Sequence, residues 1–248
     1  MKFSSRVAVL LAVMAISMAA TPVSARSVAT SQTSLAASLS AAITASPSAV
    51  TSSPAPCLDS KYNLIGPKWK STLKWSYKSS TTPAGLTTAA VLQVLKRAFN
   101  NMTNERNDCG RADRVSATWS YLGTTSRGIG VTKAGACGSA DSHNTIGFGA
   151  LPAGYLALTC VRSVGTSITE IDIRLATAGH WALSAVGCFN EYMLEPVVTH
   201  EVGHAYGLDH VGELNHGRLT MSTFIDGTCE NQESTLGLGD MKGLEALY

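Results

Sequence analysis

Residues 200–210 of the chain read His200-Glu201-Val202-Gly203-His204-Ala205-Tyr206-Gly207-Leu208-Asp209-His210, and their spacing is the most informative feature of the sequence. His200 and His204 lie four residues apart, so a helix would place both imidazoles on one face, within reach of a single ion. Gly207 can adopt the positive φ that ends a helix and turns the chain back, which would return His210 as a third ligand. Three imidazoles leave the fourth tetrahedral position open for water, as in catalytic rather than structural zinc sites.

Glu201 follows the first of these histidines and would project about 100° away from it around the helix, beside the ion rather than onto it. A carboxylate in that place suits a general base acting on water. Two alternatives are a buried helix whose histidines are satisfied within the core, and a zinc ion with a structural role. Five fixed His, Glu and Gly positions arise by chance in about one of 10⁵ such chains, and a structural ion leaves the placement of Glu201 unexplained. The sequence therefore predicts His200, His204 and His210 as metal ligands and Glu201 as the catalytic residue.

Met221 lies eleven residues after the last of these histidines, within Leu219-Thr220-Met221-Ser222-Thr223. It would form an apolar floor beneath the three imidazoles. A plain core methionine predicts nearly the same structure, so the sequence leaves both interpretations open. Three further histidines, His143, His180 and His216, lie outside the pattern. They are expected to be polar surface or core residues, because a lone histidine seldom marks a site.

The chain resembles the metzincin metalloendopeptidases. Residues 200–210 match their extended HExxHxxGxxH zinc motif, and residues 219–223 are similar to the methionine turn that follows it. Within the metzincins the chain most resembles a secreted bacterial matrixin (peptidase M10-like). Ile171-Asp172-Ile173 is similar to the matrixin strand before the active-site helix, and residues 236–248 are similar to the last helix. The resemblance covers residues 57–248.

This resemblance implies an α+β, zincin-like fold with a mixed sheet and long helices. It also implies one catalytic Zn²⁺ and hydrolysis of peptide bonds by zinc-activated water, with Glu201 as general base and acid. Metzincins usually bind substrate as an extended strand along the edge of the sheet above the zinc. Either residues 145–151 or residues 156–161 would be that edge, with an apolar pocket between the zinc helix and residues 219–225.

The chain departs from the matrixin pattern after the turn methionine. Matrixins commonly have Tyr-Pro there, whereas this chain has Ser222 and Thr223, and astacin-like and serralysin-like relatives place a tyrosine where Thr223 stands. The cysteine-switch motif of animal matrixins is absent from the sequence. Asp172 resembles a calcium-ligand position of animal matrixins, but no acidic cluster surrounds it in sequence, so Ca²⁺ is left open. Asp240 is expected to cap the last helix, and the resemblance suggests that it also braces the methionine turn.

Around the motif, the residue pattern predicts an α+β or mixed α/β domain. Leu73–Tyr77 alternates as a strand, and Thr87 or Thr88 can cap a helix whose apolar residues recur at helical spacing as far as Met102. Further strands are predicted at 117–122, 145–151, 156–161 and 171–175, and further helices at 194–206 and from 240 to the C-terminus.

The first 56 residues differ in composition from the rest of the chain. Lys2 and Arg6 give the chain a positively charged start, residues 7–20 form a mostly apolar run, and Val23-Ser24-Ala25 offers a small-x-small cleavage site. Residues 1–25 are therefore predicted to be a secretory signal peptide. The apolar run is too short for a membrane anchor, which needs about 20 residues. Residues 26–56 are rich in Ala, Ser, Thr, Val and Pro, which is typical of a disordered spacer or a propeptide. The metallopeptidase domain is then expected over residues 57–248 of a secreted, extracellular protein.

The charge balance excludes several classes of partner. Three of the 19 basic residues precede residue 57, where there is no acidic residue, so residues 57–248 carry 16 basic and 17 acidic groups. Such a domain has no basic footprint for nucleic acid or for an anionic membrane. The expected partner is a polypeptide substrate in extended conformation, bound by a monomer.

The six cysteines form no CxxC pair, and their even number suits an oxidised, secreted protein with up to three disulfides. A bond between Cys188 and Cys229 would close a loop that contains all three ligands and the turn methionine, and would stabilise the fold by about 4 kcal/mol. A rival interpretation leaves Cys57 as a free thiolate that blocks the zinc. The simplest pairing of the other four cysteines is Cys109–Cys137 and Cys57–Cys160.

Two other functions fit the same motif. One is a secreted zinc-binding adhesin or inhibitor-like module without turnover, and the other is a zinc amidase acting on cell-wall links. Loss of turnover would relax the need for Glu201, which favours the peptidase over the binding module. Assays on protein and cell-wall substrates are needed to distinguish the amidase from the peptidase.

Overall fold

A five-stranded mixed sheet organises the chain. The structure, a computed structural model, describes residues 53–225 and 227–248. Within them the strands are β1 Asn63–Leu64, β2 Leu73–Tyr77, β3 Trp119–Thr124, β4 Thr145–Gly149, β5 Ala157–Val164, β6 Ser167–Ala176, β7 Trp181–Ala182, β8 Tyr192–Met193 and β9 Leu208–Asp209. The large sheet has the order β3-β2-β4-β6-β5, in which β5 alone is antiparallel to its neighbour. Two small pairs, β1 with β9 and β7 with β8, flank it.

Three longer helices and one short one accompany the sheet. They are α1 Thr88–Thr103, α2 Leu194–Ala205, α3 Glu213–His216 and α4 Leu238–Leu247. Thr87 caps α1, because its hydroxyl accepts a hydrogen bond from the backbone N–H of Ala90 at 3.2 Å. The apolar residues that predicted this helix, such as Val91, Leu95 and Met102, are buried. The α+β class is confirmed.

The strand order corrects one expectation about the substrate-binding edge. The predicted strand at 145–151 forms as β4, but β4 lies inside the sheet between β2 and β6. Its backbone groups are occupied by those neighbours, so β4 cannot add a further strand. β5 pairs only with β6 and forms an edge of the sheet.

The two faces of the sheet differ in chemistry because side chains alternate along each strand. On the inner face, Ile171, Ile173 and Leu175 of β6 belong to the hydrophobic core, and the Trp75 ring of β2 stacks on Phe99 of α1 at 4.8 Å. On the outer face, the same strand presents Glu170, Asp172 and Arg174. These polar side chains are covered by the chain segment 130–142, which donates to and accepts hydrogen bonds from them.

The disulfides differ in part from the predicted pairing. Cys188 bonds to Cys229, as predicted, and the described residues contain no free cysteine, which contradicts the rival interpretation of Cys57. The pairings Cys109–Cys137 and Cys57–Cys160 were wrong. Segment 130–142 crosses the outer face of β5, which brings the Cys137 thiol to Cys160, while the start of the domain lies beside the end of α1. The other two bonds are Cys57–Cys109 and Cys137–Cys160.

The predicted signal peptide, residues 1–25, and most of the predicted spacer at 26–56 lie outside the described residues. Residues 53–56 of that spacer contact the domain: the carbonyl of Pro56 accepts a hydrogen bond from the Leu238 N–H at 2.8 Å. Within the described ranges, none of the helices has the length and apolar character needed to cross a bilayer.

Candidate metal centre

Helix α2 carries the first part of the motif and is buried along its whole length. It packs between α1 and the edge strand β5. A polar network fixes it to α1: the Glu195 carboxylate accepts from Arg97 Nε at 2.7 Å and from Asn101 Nδ2 at 3.1 Å, and Asn101 also donates to the Thr199 hydroxyl. Sequence reasoning missed these residues. Their i, i+4 spacing on each helix is the signal that could have found them.

The three motif histidines converge on one point. The Nε2 atoms of His200 and His204 each lie 3.0 Å from Nε2 of His210. Two nitrogens bound to one tetrahedral zinc ion at about 2.0–2.1 Å would be about 3.3 Å apart, so the observed spacing is close to that of a filled site. Among the described residues, this is the one group of three or more His, Cys, Asp or Glu side chains placed to share an ion.

Hydrogen bonds to the other ring nitrogens orient two of these imidazoles. Nδ1 of His200 lies 2.7 Å from the carbonyl oxygen of Thr220, and Nδ1 of His204 lies 2.9 Å from that of Leu208. A carbonyl only accepts, so each Nδ1 donates the hydrogen bond, and in the neutral imidazole the Nε2 lone pair is then available at the shared point. This orientation fits the binding of Zn²⁺.

Gly207 produces the turn that returns the third histidine, as the sequence predicted. It has φ +96°, and a Cβ at this position would lie 2.5 Å from the carbonyl oxygen of Pro67. Any other residue would therefore be strained and would collide with backbone. The turn leads into β9, whose pairing with β1 places His210, and Asn63 Nδ2 donates to the His210 carbonyl at 2.7 Å.

Met221 lies under the motif helix and is 2% exposed. A Cβ added to Gly203, in the middle of the motif, would come within 2.3 Å of the Met221 sulfur. The glycine therefore allows the methionine to approach the helix between the two histidines, and an ordinary core methionine would not require a glycine there. This contact favours the methionine-turn interpretation over that of a plain core residue.

Asp240 joins the methionine turn to the last helix. Its carboxylate accepts hydrogen bonds from the N–H groups of Thr220 at 2.9 Å, Met221 at 3.1 Å and Gly237 at 2.9 Å. It therefore both caps α4 and braces the turn, and the two expectations for it hold together. Burial raises the pKa of Asp240 to about 6, although these three N–H groups act in the opposite direction.

Residues 222–224, which follow the turn methionine, are held by contacts that the resemblance to matrixins did not predict. The Glu213 carboxylate accepts hydrogen bonds from the Ser222 hydroxyl and from the Phe224 N–H. The Thr223 hydroxyl donates to the carbonyl of Val211 at 3.2 Å. Polar contacts from α3 and from the chain after His210 thus hold residues 222–224, where matrixins commonly have Tyr-Pro.

Glu201 is 2% exposed and faces the edge strand. The hydroxyl of Thr159, on β5, lies 2.5 Å from Glu201 Oε2 and 3.1 Å from the Glu201 carbonyl oxygen. Sequence reasoning did not single out Thr159, since nothing in the local pattern of β5 indicates what lies opposite it.

The other three histidines do not join the centre. His216 Nδ1 lies 2.8 Å from Asp59 Oδ2, which ties α3 to the start of the domain. His143 contacts the backbone of Asp141, and His180 lines a cleft beside Glu191. The expectation that they are polar surface or core residues agrees with these positions.

Asp172 lies on the outer face of the sheet, away from the histidines. Its Oδ1 accepts from the Thr145 N–H at 3.3 Å, and its Oδ2 has no hydrogen-bond partner. Burial, opposed by the Gly130 N–H and reinforced by the charge of Glu170, raises the pKa of Asp172 to about 7. Glu170 is paired with Arg162 at 3.0 Å. Asp172 therefore belongs to no cluster of three or more potential metal-binding side chains within the described ranges, and a calcium site is not shown.

Comparison with known proteins agrees with this geometry. Residues 152–248 match the sequence model of the matrixin peptidases (Peptidase M10), a region that contains β5, β6, the motif helix, the methionine turn and the last helix. A search of curated protein sequences gives no match. The match supports a matrixin-like metzincin catalytic domain that includes residues 152–248, in a family of zinc metallopeptidases.

Proposed function

We propose that this protein is a secreted zinc metalloendopeptidase that cleaves polypeptides bound in extended conformation. The observation that carries the proposal is the convergence of three histidine Nε2 atoms, together with a glutamate directly after the first of these histidines on the same helix. A structural zinc site has no use for that carboxylate, whereas hydrolysis needs a base close to the ion.

His200, His204 and His210 would hold the ion through Nε2. Zinc bound there supplies a Lewis acid that polarises a carbonyl and lowers the pKa of water. Because backbone carbonyls already accept the Nδ1 protons of the first two ligands, these imidazoles need no rearrangement to bind it.

Glu201 would move the protons of the reaction. Its carboxylate is almost fully excluded from bulk solvent, so it exchanges protons with a reacting group rather than with bulk water. In the hydrolysis it would take a proton from the attacking water and then deliver it to the nitrogen of the leaving amine. Among the described residues the metal-binding cluster consists of histidines alone, so Glu201 would act beside the ion rather than as a ligand.

The edge strand β5 would bind the substrate backbone. β5 packs on the motif helix, and its second side is paired with no other strand of the described chain. A polypeptide could add to that side through main-chain hydrogen bonds, which tolerate many sequences. The side chain next to the cleaved bond would enter the space beside residues 222–225, held by Glu213.

Secretion is supported by chemistry within the domain. Three disulfides join all six cysteines, and such bonds persist in oxidising compartments. The N-terminal segment with the features of a signal peptide agrees with this location.

The test is a cleavage profile on a mixed peptide library, with zinc and with a chelator, using the full chain without its first 25 residues. Protein and cell-wall substrates are assayed side by side. Chelator-sensitive cleavage of internal peptide bonds is the expected result. Cleavage of cell-wall links alone would replace the peptidase with an amidase, and a zinc-loaded protein that cleaves neither would leave only the binding module.

A further inference from the structure

The inner face of β5 carries one polar side chain opposite the motif helix. Ala157 and Val161 belong to the hydrophobic core, and Thr159 lies between them on the same face. Leu158 and Cys160 point to the outer face, where Cys160 bonds to Cys137. A threonine in an otherwise apolar row faces Glu201, although valine would fill the same space.

The hydrogen-bond geometry at Thr159 favours the carboxylate over the backbone. The hydroxyl has one proton to donate, and two oxygens of Glu201 are in range, Oε2 at 2.5 Å and the carbonyl at 3.1 Å. A hydroxyl bound to a carboxylate is the shorter and stronger kind of hydrogen bond. The proton of Thr159 is therefore assigned to Oε2.

This contact restricts the orientation of a side chain with three rotatable bonds. The rotamers of a glutamate on a helix put its carboxylate at positions that differ by several ångströms. A displacement of about 1 Å at a reacting group can lower the rate about 10²-fold. The other side chains that could hold Glu201 from β5 are apolar, so among residues 157, 159 and 161 only Thr159 can fix the carboxylate by a directed bond.

We propose that Thr159 is a positioning residue, whose hydroxyl holds the Glu201 carboxylate in the orientation required for proton transfer. The proposal rests on the proposed peptidase function and extends it to the edge strand. β5 then has two roles, since its free side binds the substrate backbone while Thr159 orients the base that acts on that substrate.

The test compares three variants of the zinc-loaded protein. Thr159→Val keeps the shape and removes the hydroxyl, Thr159→Ser keeps the hydroxyl, and Thr145→Val makes the same change on β4, where the hydroxyl is buried without a partner. Thr159→Val is expected to lower kcat at least about tenfold with KM changed less than about twofold, at unchanged zinc content and Tm. Serine should restore most of the kcat, and Thr145→Val should keep it.

Wild-type kcat in Thr159→Val, or a serine variant as slow as the valine variant, would overturn the proposal. A second measurement does not depend on activity. Crystal structures of the zinc-loaded wild type and Thr159→Val should show the Glu201 carboxylate against the hydroxyl in the first and rotated away in the second. A carboxylate that stays in place in the valine variant overturns the proposal even if no peptide is cleaved, whereas an inactive wild type contradicts the proposed function.

Discussion

The two faces of the five-stranded sheet differ in the kind of side chain that they bury. The inner face packs α1 and α2 against aliphatic and aromatic side chains, and Glu195 and Asn101 form a polar network beside the motif helix. The outer face buries Glu170 and Asp172 beneath segment 130–142, half-buries Arg174, and leaves one Asp172 oxygen without a hydrogen-bond partner. The burial of an incompletely hydrogen-bonded carboxylate lowers the stability of the folded state.

The residues proposed for function and a buried acid that affects stability lie on opposite faces of the sheet. Every residue proposed for binding the metal or moving protons lies on the inner side, whereas Asp172, whose pKa burial raises to about 7, lies on the outer side. Changes on the inner side should therefore alter metal content or rate with little dependence of stability on pH. Changes on the outer side should alter the pH dependence of stability and leave the metal in place.

The largest expected effect is loss of the metal from ligand variants. His200→Ala, His204→Ala and His210→Ala should each lose most bound zinc and all measurable cleavage, because two imidazoles leave the site incomplete. Zinc analysis after dialysis against a weak chelator measures this. His216→Ala is the matched control, since His216 pairs with Asp59 instead. Zinc loss in that control would mean that the ligand set is wrong.

Glu201→Gln should keep the zinc and lose activity. The amide has nearly the same shape but cannot accept a proton, so kcat should fall by at least about 10²-fold while zinc content and Tm stay at wild-type values. Peptide cleavage measured on protein of known zinc content checks this. A metal-loaded glutamine variant that keeps the wild-type rate would remove Glu201 from the mechanism.

Asp172→Asn tests the outer face. The pKa of Asp172 is raised to about 7 in the folded protein from an unfolded value near 3.8, so the folded state binds the proton more tightly. Its contribution to stability is complete below about pH 4 and is lost as the pH rises through 7. The variant, which carries no charge, should be more stable than the wild type by a few kcal/mol at pH 8, and this advantage should shrink towards pH 4.

Denaturant unfolding between pH 4 and pH 8 measures this difference, with zinc content and kcat as controls. The groups around Asp172 that also carry charge are Glu170, its partner Arg162, and Asp141. A stability difference that does not change with pH would mean that folding leaves the pKa of Asp172 at its unfolded value. Loss of zinc in the variant would contradict the expectation that changes on the outer face leave the metal in place.

Thr145→Val should have the smallest effect. The Thr145 hydroxyl is fully buried and has no hydrogen-bond partner, so its replacement by a methyl group should leave the free energy of unfolding unchanged or raise it by about 1 kcal/mol. Thermal unfolding at pH 7 measures the change. A loss of more than about 1 kcal/mol would show that the hydroxyl has a bound water as its partner.

The features that depend on local periodicity could be predicted from the residues alone. Helical spacing aligns His200 with His204, and the glycine that ends the helix could be identified because few other residues adopt its φ. The alternation of apolar side chains predicted β2 and β6 in the same way. These features follow from a few consecutive residues, so they hold wherever the segment lies in the molecule.

Contacts between residues that are distant in sequence could not be predicted in this way. Thr220 and Leu208 accept from the ligand histidines, Thr159 faces Glu201, and Cys137 reaches Cys160, because separate segments cross the sheet at those points. In the folded sheet β4 lies inside and β5 at the edge. The two segments are similar in residue pattern, so the sequence did not indicate which of them would be the edge strand. The physical reason is that strand order and segment crossings are set by how the whole core packs, and no short stretch of sequence contains that information.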